Sequence, residues 1–179
     1  MMMAAMSFAG RPDDRGAGRD EALACLFQAE YRTLVRLACL LLDDRGAGEE
    51  VAQEAFVRLY RSWPRLRDPQ ATPAYLRSTV LNLARSRMRR RLVSRHQPPP
   101  NEYHEPSAET RALLTEERRE VLAAVRALPR RQRECLILRY YLELSEAEIA
   151  VTLRISAGSV KSHTYRGLRT LAQRLEGYR

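Results

Sequence analysis

Apolar residues along this chain recur at intervals of three and four, and alternation by two is nowhere sustained. That pattern predicts helices and no strands. The first periodic segment starts near Asp20, with Leu23, Leu26, Phe27, Tyr31, Leu34, Val35, Ala38 and Leu41 on one face. It is expected to stop at DDRGAG, where Gly46 and Gly48 act as breakers. A second helix is predicted from about Glu49 to Ser62, with Val51, Ala55, Phe56, Leu59 and Tyr60 inward. Pro64 and Pro69 bracket a loop, WPRLRDPQA. Thr72 and Pro73 then open a third helix, since a proline in the first turn loses no hydrogen bond. Its inward residues are Tyr75, Leu76, Val80, Leu83 and Ala84, and it ends in the run RSRMRRR.

From about Leu92 to Ala108 the prolines and polar residues carry no apolar period, which reads as an extended linker. Helical pattern returns at Glu116 to Ala127, breaks at Pro129 and resumes at Arg130 to Leu142. The expected fold class is therefore all-α, with two small helical domains joined by a flexible linker. The expected division is a disordered tail over 1–19, a first domain over 20–91, a linker over 92–114 and a second domain over 115–179. The linker is expected to be a tether between independent domains.

The stretch with the most chemistry is LSEAEIAVTLRISAGSVKSHTYRGL, Leu144 to Leu168. Ser145 and Glu148 have capping-box spacing, and Ser156 is placed to cap a following helix. Ile149, Ala150 and Leu153 form the buried face of the first helix; Val160 and Leu168 are expected inward on the second. Lys161, Ser162, His163, Thr164, Tyr165 and Arg166 then point outward. A short helix, a turn and a helix with a polar, basic outer face form a helix-turn-helix that reads a DNA major groove. Two ordinary amphipathic helices are the plainer alternative, but cap, turn and basic face together favour the DNA reader.

Charge changes the picture in the same direction. The net charge is +9, and Lys161 is the only lysine among the 31 Lys and Arg. A polyanionic partner fits. A GC-rich genome also favours arginine, so arginine position has to carry the argument. Arg77, Arg85, Arg87, Arg89, Arg90, Arg91 and Arg95 cluster at the end of the third helix, with Trp63, Tyr75 and Asn82 near them in sequence. Such a cluster suits phosphates, and nearby aromatics and Asn suit unpaired bases. Glu49, Glu50, Gln53 and Glu54 on the second helix form an acidic patch that DNA would repel. A basic protein partner and simple solubility both account for it.

Other classes find little support. Cys25, Cys39 and Cys135 are isolated, with no CxxC pair, and read as buried reduced thiols. His96, His104 and His163 are scattered, without nucleophile–base or metal-ligand spacing, so neither an enzyme nor a cofactor is expected. The opening MMMAAMSFAG lacks a basic flank and is a poor signal peptide. No segment has the length and apolarity of a membrane span. A dimeric helix-turn-helix repressor would explain the C-terminal half alone.

Taken together, these blocks resemble the sigma-70 family of bacterial RNA polymerase sigma factors, extracytoplasmic-function (ECF) group, over about Ala22 to Leu175. EEVAQEAFVRLYRSW is similar to the polymerase-docking segment of sigma region 2, PAYLRSTVLNLARSRMRRR to its −10 reading segment, and LPRRQRECLILRYYLELSEAEIAVTLRISAGSVKSHTYRGLRTL to region 4. The tone of the whole, including AYLRSTVLNLARS, is most similar to the actinobacterial SigE-like subgroup. The resemblance implies core-polymerase contacts from Glu50, Gln53, Glu54 and Phe56. It implies −10 DNA contacts from Arg65, Arg67, Asn82, Arg85, Arg87, Arg89 and Arg90, and −35 contacts from Ser159, Lys161, Ser162, His163 and Arg166. The implied partners are the clamp and flap of core RNA polymerase, promoter DNA and an anti-sigma factor. A cytoplasmic, non-enzymatic protein, monomeric when free, is implied too. Two positions depart from the family pattern: Arg154 stands in the turn in place of Gly, and Gly167 in the recognition helix in place of Ala. Both are expected to loosen the second domain.

Overall fold

The computed structural model describes residues 14–66, 68–94 and 116–176. The N-terminal run, Arg67, Arg95 and the rest of the expected linker through residue 115 lie outside the described residues. Among the described residues the chain is helical: α1 (Asp14–Leu42), α2 (Arg45–Ser62), α3 (Thr72–Ser94), α4 (Glu116–Arg126), α5 (Arg130–Leu136), α6 (Glu146–Leu153) and α7 (Ala157–Glu176). Short 3-10 turns at Trp63–Arg65 and Pro69–Ala71 join α2 to α3, and a π turn over Ile137–Tyr141 follows α5.

Helices α1, α2 and α3 pack on one another around Leu34, Leu37, Ala38, Leu59, Leu76 and Val80, all fully buried. Helix α1 begins at Asp14, ahead of its expected start near Asp20. The DDRGAG segment departs further from expectation. Helix α1 ends at Leu42, Asp43 turns the chain at φ 57, and α2 begins at once at Arg45. Asp44 caps α2, its Oδ1 accepting from the Ala47 N–H at 2.8 Å. Gly46 and Gly48 are thus inside α2 and break nothing. A side chain at Gly48 would put Cβ 2.5 Å from Cys39 Sγ, so the glycine is a point of close approach between α1 and α2. Burial tends to raise the Asp44 carboxyl, but the Ala47 N–H and the Arg91 guanidinium outweigh it and leave it below the usual range.

Helices α5, α6 and α7 form the second unit, with α4 packed against α7. Its core includes Cys135, Leu138, Ile149 and Val160. Burial pushes the Cys135 thiol up to about 11, as befits an inert core group. Cys39 is half-buried and Cys25 exposed, so the expectation of buried thiols fails for Cys25, which lies on the solvent side of α1.

The two units do not stand apart. Ser78 Oγ on α3 donates to the Thr152 carbonyl on α6 at 3.2 Å, Arg126 on α4 pairs with Asp43, and Arg85 on α3 pairs with Glu134 on α5. The two expected helical units are both present, and these contacts join them.

Three helix ends are built without glycine: Asp43, Glu143 and Arg154 all have positive φ. At Arg154 the turn is a Schellman arrangement, with the Ile155 N–H donating to the Ala150 carbonyl at 3.1 Å and the Arg154 N–H to Val151 at 3.3 Å. Left-handed geometry costs a non-glycine residue about 1–2 kcal/mol. Gly167 is a different case. It is buried in α7, and an added Cβ would lie 3.1–3.2 Å from Leu136 and Gln132. It lets α7 lie close against α5, so it tightens the second unit, contrary to expectation.

Opposite outcomes should follow at these two sites. Arg154→Gly should stabilise the protein by about 1 kcal/mol by relieving the left-handed position, whereas Gly167→Val should destabilise it by about 1–3 kcal/mol through overpacking. Urea unfolding followed by circular dichroism measures both, and equal shifts in one direction would refute this account.

Candidate functional site

Three surfaces carry the candidate residues, and α7 provides the first. The Ser145 N–H donates to Glu148 Oε2 at 2.8 Å, and the Glu148 N–H donates to Ser145 Oγ at 3.3 Å. The Ser145 hydroxyl and backbone N–H hold the Glu148 carboxyl below its usual range. After the turn, the Ser159 N–H donates to Ser156 Oγ at 3.1 Å and caps α7. Capped helices at both ends of a closed turn fix the direction of α7.

On α7, Lys161, Ser162, Tyr165, Arg166 and Arg169 are exposed and share one face by their spacing of three and four. Tyr165 is 63% exposed. Arg169 was not among the sequence candidates, although its place three residues beyond Arg166 was the available signal. Ser159 is half-buried and its hydroxyl is hydrogen-bonded to that of Ser156 at 2.8 Å, so it belongs to the cap. His163 and Thr164 are half-buried too. They lie three and four residues from the fully buried Val160 and border the inward face. Leu168, expected inward, is 40% exposed. Seven residues make almost two full turns, so Gly167 shares the face of Val160, and Leu168 is rotated away from it.

The second surface is the end of α3, where the arginines have distinct fates. Arg89 and Arg90 are exposed, as are Asn82 and, at the end of the first 3-10 turn, Arg65. Arg87 pairs with Glu50 on α2. Arg91 pairs with Asp44 and reaches the Leu42 carbonyl. Arg85 is the most engaged. Its Nε and Nη2 donate to both oxygens of Glu134 at 2.7 and 2.8 Å, and its Nη1 to Asn82 Oδ1 at 3.1 Å. Arg85 and Arg87 are thus tied to carboxylates, while Arg89 and Arg90 of the same run are exposed. Trp63 and Tyr75 both pack against the core, and the Tyr75 hydroxyl lies 3.2 Å from that of Ser62.

The third surface is the solvent face of α2. Gln53 is exposed, Glu50 is exposed beside Arg87, and Glu54 pairs with Arg58 at 2.8 Å. Phe56 lies inward of this face. It is only 9% exposed and packs with Phe27 and Tyr31, ring centroids 5.0 and 6.3 Å away. Val57 and Tyr60 are the exposed apolar residues of this face, and sequence reading had put Tyr60 inward. Arg19 stacks on the Tyr60 ring and donates to its hydroxyl at 2.8 Å.

Comparison with known proteins identifies the architecture. Residues 26–92 match the family model for sigma-70 region 2, and residues 118–171 match that for sigma-70 region 4. The chain is 30% identical over 165 residues to the ECF RNA polymerase sigma factor SigK of Mycolicibacterium vanbaalenii, covering 87% of this chain and 83% of that protein. It is also 30% identical over 169 residues to a probable RNA polymerase sigma factor, RfaY, of Xanthomonas campestris, covering 89% of this chain but 42% of the longer relative. Its fold is similar to that of the sigma factor RpoE of Bartonella quintana, solved with the anti-sigma factor NepR, at a TM-score of 0.69 and 19% identity over 87% of this chain and 98% of that one. With its region 2 unit ahead of its region 4 unit and this likeness along its length, the chain belongs to the ECF group of the sigma-70 family, the factors that direct promoter-specific transcription initiation by RNA polymerase.

Proposed function

We propose that α7 reads the −35 element through Lys161, Ser162 and Arg166, with Tyr165 and Arg169 extending the same face. The observation that carries this is that single exposed face, aimed by two capped helices and a closed turn. Arg166 suits a bidentate guanine contact and Lys161 a phosphate. Ser159 and His163 contribute by shaping the helix rather than by facing DNA.

The −10 strand is held by Asn82, Arg65, Arg67, Arg89 and Arg90, with Arg85 and Arg87 joining once they leave their carboxylate partners. Core polymerase docks through its clamp on the α2 face, where Glu50, Gln53 and Glu54 surround Val57 and Tyr60, and through its flap on the second unit. Charged rims around exposed aromatics suit such docking. An anti-sigma protein is a further proposed partner, since the relative RpoE was solved with one. The protein acts as a non-catalytic, cytoplasmic initiation factor and is monomeric until it joins polymerase. Among the described residues no helix is long and apolar enough to cross a membrane.

The docking face is tested by reversing its charge. Glu50 and Glu54 make only exposed pairs, with Arg87 and Arg58, each worth about 0–1 kcal/mol. The double variant Glu50→Arg, Glu54→Arg should therefore fold yet lose association with core polymerase on native gels. Undiminished association would overturn the assignment.

Duplex and strand contacts should separate. Arg166→Ala should cost about 1–3 kcal/mol of −35 discrimination in competition binding. Asn82→Ala should leave duplex binding intact and slow open-complex formation, and a pre-melted −10 bubble should relieve that defect in permanganate footprinting. A defect of the same size on the bubble template would remove Asn82 from strand melting.

A further inference from the structure

The least expected carboxylate in the protein is Glu134. On a basic chain it is a single acid, 1% exposed, with three arginines around it. Arg130 and Arg131 come from its own helix, at 3.8 and 3.2 Å. The third, Arg85, comes from the other unit and grips both carboxylate oxygens with a two-pronged fork at 2.7 and 2.8 Å. That fork is the geometry with which arginine holds a phosphate. Arg85 belongs to the arginine run of α3, and its own side chain is only 16% exposed.

We propose that Glu134 is an internal stand-in for a DNA phosphate, and that its pairing with Arg85 latches the free protein in a closed state. The proposal rests on the reading of the α3 arginines as strand-binding residues. In the closed state Arg85 is withheld from DNA, and Asn82, which accepts from Arg85 at 3.1 Å, is held with it. Helix α6 lies on α3 through the Ser78–Thr152 bond at 3.2 Å, and Arg133 on α5 reaches Met88 Sδ on α3 at 3.5 Å. One row of α3, Ser78, Asn82, Arg85 and Met88, is thus turned toward the second unit or bonded to what is. The face of α7 stays exposed, as do Arg89 and Arg90, so closure withholds Arg85 from the strand-binding surface and leaves the duplex-reading surface open.

The latch is built to exchange. When the units part, Glu134 keeps Arg130 and Arg131, and Arg85 keeps Asn82. Neither charge is left alone, which is the usual obstacle to opening a buried ion pair. A strand phosphate can then take the place of the carboxylate on the same fork, so DNA and closure compete for Arg85. A ligand that binds only the open state draws the equilibrium toward it by that difference in affinity.

Full-length protein tests this with two independent readouts. Small-angle scattering reports closure. The wild type should be compact, and both Glu134→Gln and Arg85→Gln should enlarge the radius of gyration, with circular dichroism checking that the helices persist. Anisotropy of a labelled single-stranded oligodeoxynucleotide reports strand binding. Glu134→Gln should bind on the order of 5- to 10-fold tighter than wild type, in the range of ordinary coupling between sites. Glu176→Gln, the same charge change at an exposed position, should not. Arg85→Gln should open without that gain, because it has lost the fork. If both latch variants stay as compact as wild type and Glu134→Gln gains no affinity beyond that of Glu176→Gln, the latch is refuted. If they expand but neither they nor the wild type bind the oligonucleotide, the latch stands and the strand-binding reading of Arg85 falls.

Discussion

A helix can bury apolar side chains on several sides only if it has neighbours on several sides, and α3 has them. Leu76, Val80 and Ala84 are buried, and α3 packs on α1 and α2. Ser78, Arg85 and Met88 meet the second unit. The other elements take their places from this. The first domain is three helices because α3 needs a wall. The second domain sits where α5 and α6 can lie on the remaining side. The charged end of α3 falls at the seam between them.

That seam explains why the arginine run could not be read by counting. Periodicity gave the class and the order of the helices, because three- and four-residue spacing reports one buried face. The caps at Ser145 and Ser156 were legible because they depend on residues within one turn. The fates of the arginines depend on partners 37 to 49 residues away, namely Arg87 with Glu50 and Arg85 with Glu134. No local pattern carries that information. Arg89 and Arg90 are exposed while Arg85 is half-buried in the same run, and only the packing of two units separates them.

Smaller misreadings share a cause. Gly46 and Gly48 looked like breakers because glycine usually punctuates, yet the stop is made by Asp43, with Asp44 as the cap, and Gly48 is needed for its lack of Cβ. Phe56, inward by its spacing and a docking residue by resemblance, completes a ring cluster with Phe27 and Tyr31. Leu168 looked buried because it is apolar, and Gly167 does the burying because it lies two turns from Val160. In each case the geometry of close packing overrode residue type.

The character of the contacts between the units bears on how they behave. Ser78 with Thr152, Arg126 with Asp43, Arg133 with Met88 and Arg85 with Glu134 are polar links. Apolar packing accompanies them, since one buried cluster takes in Leu34, Leu76 and Val80 of the first unit with Leu138, Ile149 and Leu153 of the second. Apolar burial is non-directional and costs its full transfer free energy to undo. Polar links exchange with water, with phosphate or with another protein at small net change, because the alternative partner restores most of what is lost. Such an interface resembles a transient one between separate proteins. On the proposed reading, in which one surface meets polymerase and two meet DNA, the polar links are the part of the seam that can change partners.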